Sequence, residues 1–313
     1  MIKLYQRFFL TFYFLGCLLS TVSAQYEATL KNFNFLLFNH LQEEVDISNM
    51  IASRVYEDAN GFIWFSTETG LCRFDGKQKR YFKGKKNGKY RPIHASVFSR
   101  DNHGNVWLAE GNRLFRFNSL TENFENQHYS LQNNESIDQI TALQICDSTL
   151  WIGSKKGVFT ATLGDTIQLR PIPISKRRTP QTDTPLEITS LHVSAGKHLW
   201  VGTKGEGLYI VADYKEPNAL LMPICIGKLC SMDIISVIDY DADHLLVSTS
   251  KGLSVIDSQR NSRTLLNSNR ITDTNVTSTG EIWCSTYGEG LFYFEDLQTS
   301  YETYMTAFGR QRE

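Results

Sequence analysis

Histidine, cysteine and glycine-rich phosphate loops are the residue types here that could carry chemistry, and none falls into a working pattern. The seven histidines, His40, His94, His103, His128, His192, His198 and His244, lack the helical i, i+4 spacing that presents two imidazoles to zinc. His103, His198 and His244 sit in or beside turn sequences, so they read as surface residues and no metal is expected. No Gly-x-Ser-x-Gly occurs to lift a nucleophilic serine onto a sharp turn. Gly84 to Lys89 lacks the spacing and the following Ser or Thr of a phosphate loop. Gly205-Glu206-Gly207 and Gly288-Glu289-Gly290 lack the third glycine and the helix of a dinucleotide site. No catalytic residue and no cofactor is expected.

The polar residues better suited to binding are Glu68, Glu110, Asn112, Lys155, Lys204, Glu206, Lys251, Tyr287 and Glu289. Each lies in a short turn after a strand-like phrase. If those turns project from one end of one assembly, they offer charged and hydrogen-bonding groups around a channel mouth, suited to a polar ligand such as an oligosaccharide.

What must position them is a repeat. Ile63-Trp64-Phe65-Ser66-Thr67 leads to Gly70-Leu71-Cys72-Arg73-Phe74, and Leu199-Trp200-Val201-Gly202-Thr203 leads to Gly207-Leu208-Tyr209-Ile210. The phrase returns at Val106-Trp107-Leu108, at Leu150-Trp151-Ile152-Gly153-Ser154 and at Ile282-Trp283-Cys284-Ser285-Thr286. A sixth copy, Leu245-Leu246-Val247-Ser248-Thr249, has Leu246 for the tryptophan. The anchors Trp64, Trp107, Trp151, Trp200, Leu246 and Trp283 are 43, 44, 49, 46 and 37 residues apart, and they include all 5 tryptophans of the chain. That period is one four-stranded propeller blade.

Within each unit an apolar strand such as Ile140 to Ile145 or Ile188 to Val193 comes first. A turn such as Asp58-Ala59-Asn60-Gly61 or Asp101-Asn102-His103-Gly104 precedes the tryptophan strand. Glycine then closes a tight turn at positive φ, and a third strand returns as Leu71 to Phe74 or Leu291 to Phe294. A less hydrophobic fourth, such as Lys79 to Phe82 or Tyr301 to Tyr304, lies outermost. Helical periodicity is absent over any comparable length. The expected fold is all-β, a propeller of about six four-stranded blades or an incomplete seven-bladed ring. The anchors fill the space between blades, because one blade cannot bury both faces alone.

The 313 residues are 41% hydrophobic and 21% charged, with 32 basic and 33 acidic side chains and a net charge of −1. This suits a folded chain and argues against a nucleic-acid partner. The basic runs Lys83 to Arg91 and Lys176 to Arg178 read as solvated loops. Lys3 and Arg7, the apolar Phe8 to Leu19 and Val22-Ser23-Ala24 form a cleavable signal over residues 1–24. No later stretch is apolar enough to span a membrane. Residues 25–52 then read as an N-terminal strand and linker, and 53–313 as the repeats, giving a periplasmic or secreted protein. Gly16-Cys17 admits the alternative of a lipoprotein acylated at Cys17. Cys72, Cys146, Cys225, Cys230 and Cys284 are too sparse for a disulfide framework. Cys225 and Cys230 are spaced to pair or to be buried strand residues.

The phrase from Asp58 through Trp64, Gly70 and Phe74 to Gly76 resembles the two-component-regulator propeller repeat of the periplasmic sensor regions of bacterial hybrid histidine kinases. The resemblance runs through the repeats and is looser in copies three, five and six. It implies an exported propeller that recognises carbohydrate or a related nutrient. No kinase segment accompanies it here, so signalling does not carry over. Alternative readings are a protein-docking scaffold or sensor remnant and a glycan-processing propeller enzyme, since fold does not fix function. The turn at Asp58 is similar to the aspartate-box turn of sialidases but has one residue too many before Gly61. Asn34 to His40 reads as an extra strand before the first blade. With no strands to complete its blade, an open ring edge is expected that invites self-association or a protein partner.

Overall fold

A computed structural model describes residues 52–67, 70–76, 78–86, 89–131, 136–175, 185–216, 218–224, 226, 229–267, 270–298 and 302–305. None of them is helical. Six sheets follow one another along the chain as the six blades of a propeller, antiparallel except where residues 129–131 pair parallel to residues 167–169. Blade 1 comprises β1 (Ala52–Glu57), β2 (Ile63–Thr67), β3 (Gly70–Phe74) and β4 (Lys79–Lys86), extended by β5 (Lys89–Pro92). Blade 2 comprises β6 (Val97–Arg100), β7 (Val106–Glu110), β8 (Arg113–Asn118) and β9 (Asn123–Gln127). After β10 (Tyr129–Leu131), blade 3 is β11 (Ile140–Cys146), β12 (Thr149–Ser154), β13 (Gly157–Thr162) and β14 (Ile167–Pro171). Blade 4 is β15 (Ile188–Val193), β16 (Leu199–Thr203), β17 (Leu208–Val211) and the short β18 (Met222–Pro223). Blade 5 is β19 (Ile234–Asp239), β20 (His244–Thr249), β21 (Gly252–Asp257) and β22 (Ser262–Asn267). Blade 6 is β23 (Ile271–Val276), β24 (Ile282–Thr286), β25 (Gly290–Phe294) and β26 (Glu302–Met305).

Lys83 to Arg91 corrects the loop reading. It forms most of a hairpin, with Lys83 opposite Pro92 and Lys86 opposite Lys89. In the sequence Asn87-Gly88, a pair favoured in two-residue hairpin turns, separates Lys86 from Lys89. Composition suggested solvation; the local turn signal decides the backbone.

The blades are joined by apolar cores that each combine one blade with its successor. Trp64 shares a core with Leu108 and Phe115 of blade 2, and its ring meets Phe117 and Phe124 edge-on at 5.0 and 5.5 Å. Trp107 packs with Ile140 and Ile152 of blade 3, Trp151 with Leu191 and Val201 of blade 4, and Trp200 with Val237 and Val247 of blade 5. Leu246 does the same with Ile271 and Ile282 of blade 6. These five anchors are 0, 3, 1, 7 and 1% exposed. Trp283 is only partly buried and meets the ring of Tyr293 in its own blade at 4.8 Å, tilted by 55°. On the other side of blade 1, Phe65, Cys72 and Phe74 form a separate small cluster. Among the described residues, no core cluster combines blade 6 with blade 1. Asn34 to His40, the segment expected at that junction, lies outside the described residues.

Candidate functional site

The inner strands share a motif that simple alternation hides. Ile140-Thr141-Ala142-Leu143, Ile188-Thr189-Ser190-Leu191, Ile234-Ile235-Ser236-Val237 and Ile271-Thr272-Asp273-Thr274 begin β11, β15, β19 and β23. In each, pairing with the tryptophan-type strand skips the second residue, a β-bulge at one fixed place. A bulge sets two residues against one and breaks the two-residue side-chain period. The first and fourth positions are consequently buried between blades, whereas the second and third line a common channel.

The same bulge explains two glycines of the tryptophan strands. Gly153 pairs with Ala142 and Gly202 with Ser190, the residues just after the bulge. A Cβ at either would lie 2.5 or 2.6 Å from Cγ2 of Ile188 or Ile234 in the next blade. The absence of a side chain therefore lets the neighbouring inner strand approach.

The channel holds about 460 Å³ and is lined from the inner strands of all six blades: Val55, Val97, Thr141, Thr189, Ser236 and Asp273 contribute one residue from each. At the end carrying the turns between first and second strands, it shares Tyr56, Phe98 and Leu143 with a wider cavity of about 910 Å³. Glu57, Arg100, Asn102, His103 and Gln144 complete the walls of that mouth. Tyr56 and Phe98 stack at 5.5 Å, nearly parallel. The Tyr56 hydroxyl is buried without a hydrogen-bond partner, and burial pushes its pKa up, with Arg100 opposing. It remains a neutral phenol able to donate or accept. Buried Thr189 and Ser236 hydroxyls are likewise unpartnered.

The turns at this mouth are built on aspartate. Asp58 Oδ1 accepts from the amides of Asn60 and Phe62, and Oδ2 accepts from Trp64 Nε1 at 2.7 Å. Asp101 repeats this with the amides of His103 and Asn105, and with Trp107 Nε1 at 3.0 Å. Burial alone would raise the Asp101 pKa; the Trp107, Asn105 and His103 donors outweigh it and hold the carboxyl below its ordinary value. The turn at Asp58 therefore organises a core tryptophan. Beside the turn at Asp101, Asp147 accepts from Lys215, Tyr214 and Asn102, joining turns of blades 2, 3 and 4. These bonds lower its pKa to about 2.

Of the nine turn residues singled out in the sequence, eight are among the described residues. Glu68 is outside the described residues. Glu110 accepts from the Arg91 guanidinium at 2.8 Å, from the His94 amide at 3.0 Å and from Arg113 at 3.4 Å. Glu206 accepts from the Tyr209 hydroxyl at 2.7 Å, and Lys204 pairs with Glu187 at 3.4 Å. Lys155, Lys251 and Tyr287 are exposed, and Glu289 is half-buried. Asn112 lines a separate cleft with Arg113, His128 and Tyr129. None of the eight described lines the channel or its wide mouth. The channel residues Thr141, Thr189 and Thr272 were missed because their signal, a hydroxyl residue after the first isoleucine of a unit, needs the bulge to be recognised as channel-facing.

Among the described residues, no group of histidine, cysteine or acidic side chains could hold a metal ion. Cys72, Cys146, Cys230 and Cys284 are free thiols, and Cys225 is outside the described residues.

The architecture is that of a β-propeller, and the comparisons with known proteins agree. No protein-family model and no curated protein sequence matches the chain. Solved structures do. The extracellular domain of a putative one component system from B. thetaiotaomicron superposes with a TM-score of 0.65 at 16% identity, over 81% of this chain and 33% of its own. That of a putative hybrid two component system from the same organism gives 0.65 at 18%, over 82% and 35%. PorZ, a surface component of the type-IX secretion system of Porphyromonas gingivalis, gives 0.60 at 16%, over 78% and 38%. The chain thus has the propeller fold of these proteins and spans about a third of their length.

Proposed function

We propose that the protein is exported, and that its propeller is the ligand-binding part of a sensor for a carbohydrate or a related polar nutrient, with no catalysis of its own. The observation that carries this reading is the channel lined by all six inner strands, opening into a mouth with aromatic, guanidinium, amide and phenol groups. Sugars present hydroxyls that both donate and accept, together with apolar ring faces. Gln144, Arg100 and the Tyr56 hydroxyl complement the first, and the Tyr56–Phe98 pair the second. A cavity of this volume lies within the range of small-ligand sites. Sensor domains of similar fold support the reading and the extracellular location.

Calorimetric titration of the purified protein with a panel of oligosaccharides tests it. Saturable heat is expected for at least one member, lost or weakened at least tenfold by Arg100→Ala and Gln144→Ala, with no release of reducing sugar. An absence of binding across neutral and charged saccharides, or turnover of any of them, would overturn the reading.

A further inference from the structure

Between blades 4 and 5 lies a further cleft, of about 230 Å³, that shares no lining residue with the channel or its mouth. Its floor is apolar and belongs to the core: Trp200, Ile210, Leu245 and Ile256 are 7, 6, 9 and 1% exposed. On that floor the buried Nε1 of Trp200 has no hydrogen-bond partner. In blades 1 and 2 the matching indole donates to the aspartate that opens the preceding turn. Blade 4 has Ser194 at that place, which itself lines the cleft and turns its hydroxyl to the His198 carbonyl at 3.5 Å. The indole N–H is therefore directed at the cleft, and a buried donor left without an acceptor costs free energy that a bound acceptor recovers.

The rim has the opposite character. Asp239, Asp241, Asp243 and Asp257 stand against Arg260, with the imidazoles of His198 and His244 beside them. Burial would raise the Asp241 pKa, but the amides of Asp243 and His244 and the His244 ring outweigh it. The Asn261 side chain holds Asp257 below its ordinary value, so both are anions at neutral pH. Asp239 lies 3.1 Å from His192. Among the described residues no acidic or histidine group is arranged to hold a metal ion, which leaves the excess negative charge to an organic donor.

We propose that this cleft is a binding site for an amino sugar, separate from the channel and its ligand. An ionised carboxylate only accepts hydrogen bonds and an indole only donates, so the occupant must bring an acceptor to the floor and donors with positive charge to the rim. A hexosamine carries both on one ring: an ammonium and hydroxyls for the aspartates, a hydroxyl or ring oxygen for Trp200, and C–H faces for Ile210 and Leu245. A simple alkylamine lacks the acceptor. A neutral sugar leaves the rim charge uncompensated, and an amino acid adds a carboxylate that the aspartates repel. The volume lies below the range of drug-sized ligand sites and suits one sugar unit.

The full chain is titrated calorimetrically with glucosamine, glucose and cyclohexylamine, and its indole N–H signals are followed by proton–nitrogen NMR. Glucosamine should bind saturably and shift the Trp200 signal, assigned by its loss in Trp200→Phe, while glucose and cyclohexylamine bind at least tenfold more weakly. Ser194→Asp places a carboxylate where blades 1 and 2 have theirs; it should occupy the N–H and weaken glucosamine binding at least tenfold in a protein that still melts cooperatively. Asp243→Asn, at an exposed rim position, should weaken it severalfold. Arg100→Ala should leave glucosamine binding as it is, so failure of the cleft and failure of the channel are read separately. An absence of saturable glucosamine binding, equal binding of glucose or cyclohexylamine, an unmoved Trp200 signal, or full affinity in the folded Ser194→Asp variant would overturn the proposal.

Discussion

The indole nitrogen of Trp64 donates to the carboxylate of Asp58, six residues earlier, at 2.7 Å, with both residues buried. The same carboxylate holds the turn that starts the tryptophan strand. One side chain therefore sets the turn and satisfies the core donor. Asp58→Ala removes both functions and leaves an indole N–H without a partner. A loss of about 1–3 kcal/mol is expected in denaturant unfolding, and Asp101→Ala should behave alike through Trp107. A change below a few tenths of a kcal/mol in both would refute the role.

Blade 4 offers the reciprocal experiment. Its turn has the same backbone bonds, Ser194 N to His198 O and Lys197 N to Ser194 O, as the turns at Asp58 and Asp101. Ser194 stands where the aspartates stand, and Trp200 Nε1 is buried without a partner. Ser194→Asp should supply the missing acceptor and raise stability by about 1 kcal/mol. A lower melting temperature for this variant would show that the blade 4 turn cannot reproduce the geometry of blade 1.

The anchors should differ in weight according to their burial. Trp151→Ala is expected to cost about 3–5 kcal/mol, as large-to-small changes in packed cores do, while partly buried Trp283 should cost clearly less. Equal losses in chemical denaturation would mean that Trp283 is as enclosed as the others.

At Gly202 the next blade leaves no room for a methyl group, with Ile234 Cγ2 2.6 Å from where a Cβ would be. Gly202→Ala should destabilise by about 1–3 kcal/mol through overpacking, and the double variant with Ile234→Ala should lose less than the sum. Strict additivity in that cycle would remove the steric explanation.

Acid should act through the depressed aspartates. Asp147, held at about 2, and Asp101, held below its ordinary value, both favour the folded state when ionised. Their contribution is fully present above the unfolded aspartate pKa of about 3.9 and disappears as pH falls through the folded values. Melting temperature should therefore be level from neutral pH to about 5 and drop between about 4 and 2. Asp147→Asn should make that drop shallower, and an unchanged acid limb would exclude Asp147 as a contributor.

The blade period, the strand order within a blade and the core role of five of the six anchors were legible because they rest on local repetition: a tryptophan flanked by β-branched residues, a glycine at positive φ, a period of one blade. Gly252 illustrates this; its φ is +132, and a Cβ would collide with the Leu266 carbonyl 2.0 Å away. The channel was not legible. Thr141, Thr189 and Ser236 face it because a bulge shifts the register of an inner strand, and Tyr56 meets Phe98 because two blades converge there. Sequence by itself determined which residues must be buried, through hydrophobic burial and turn chemistry that act within one repeat. Only the tertiary structure decided which polar residues share a cavity, because that depends on distances between blades some 40–50 residues apart in the chain, which no local pattern encodes.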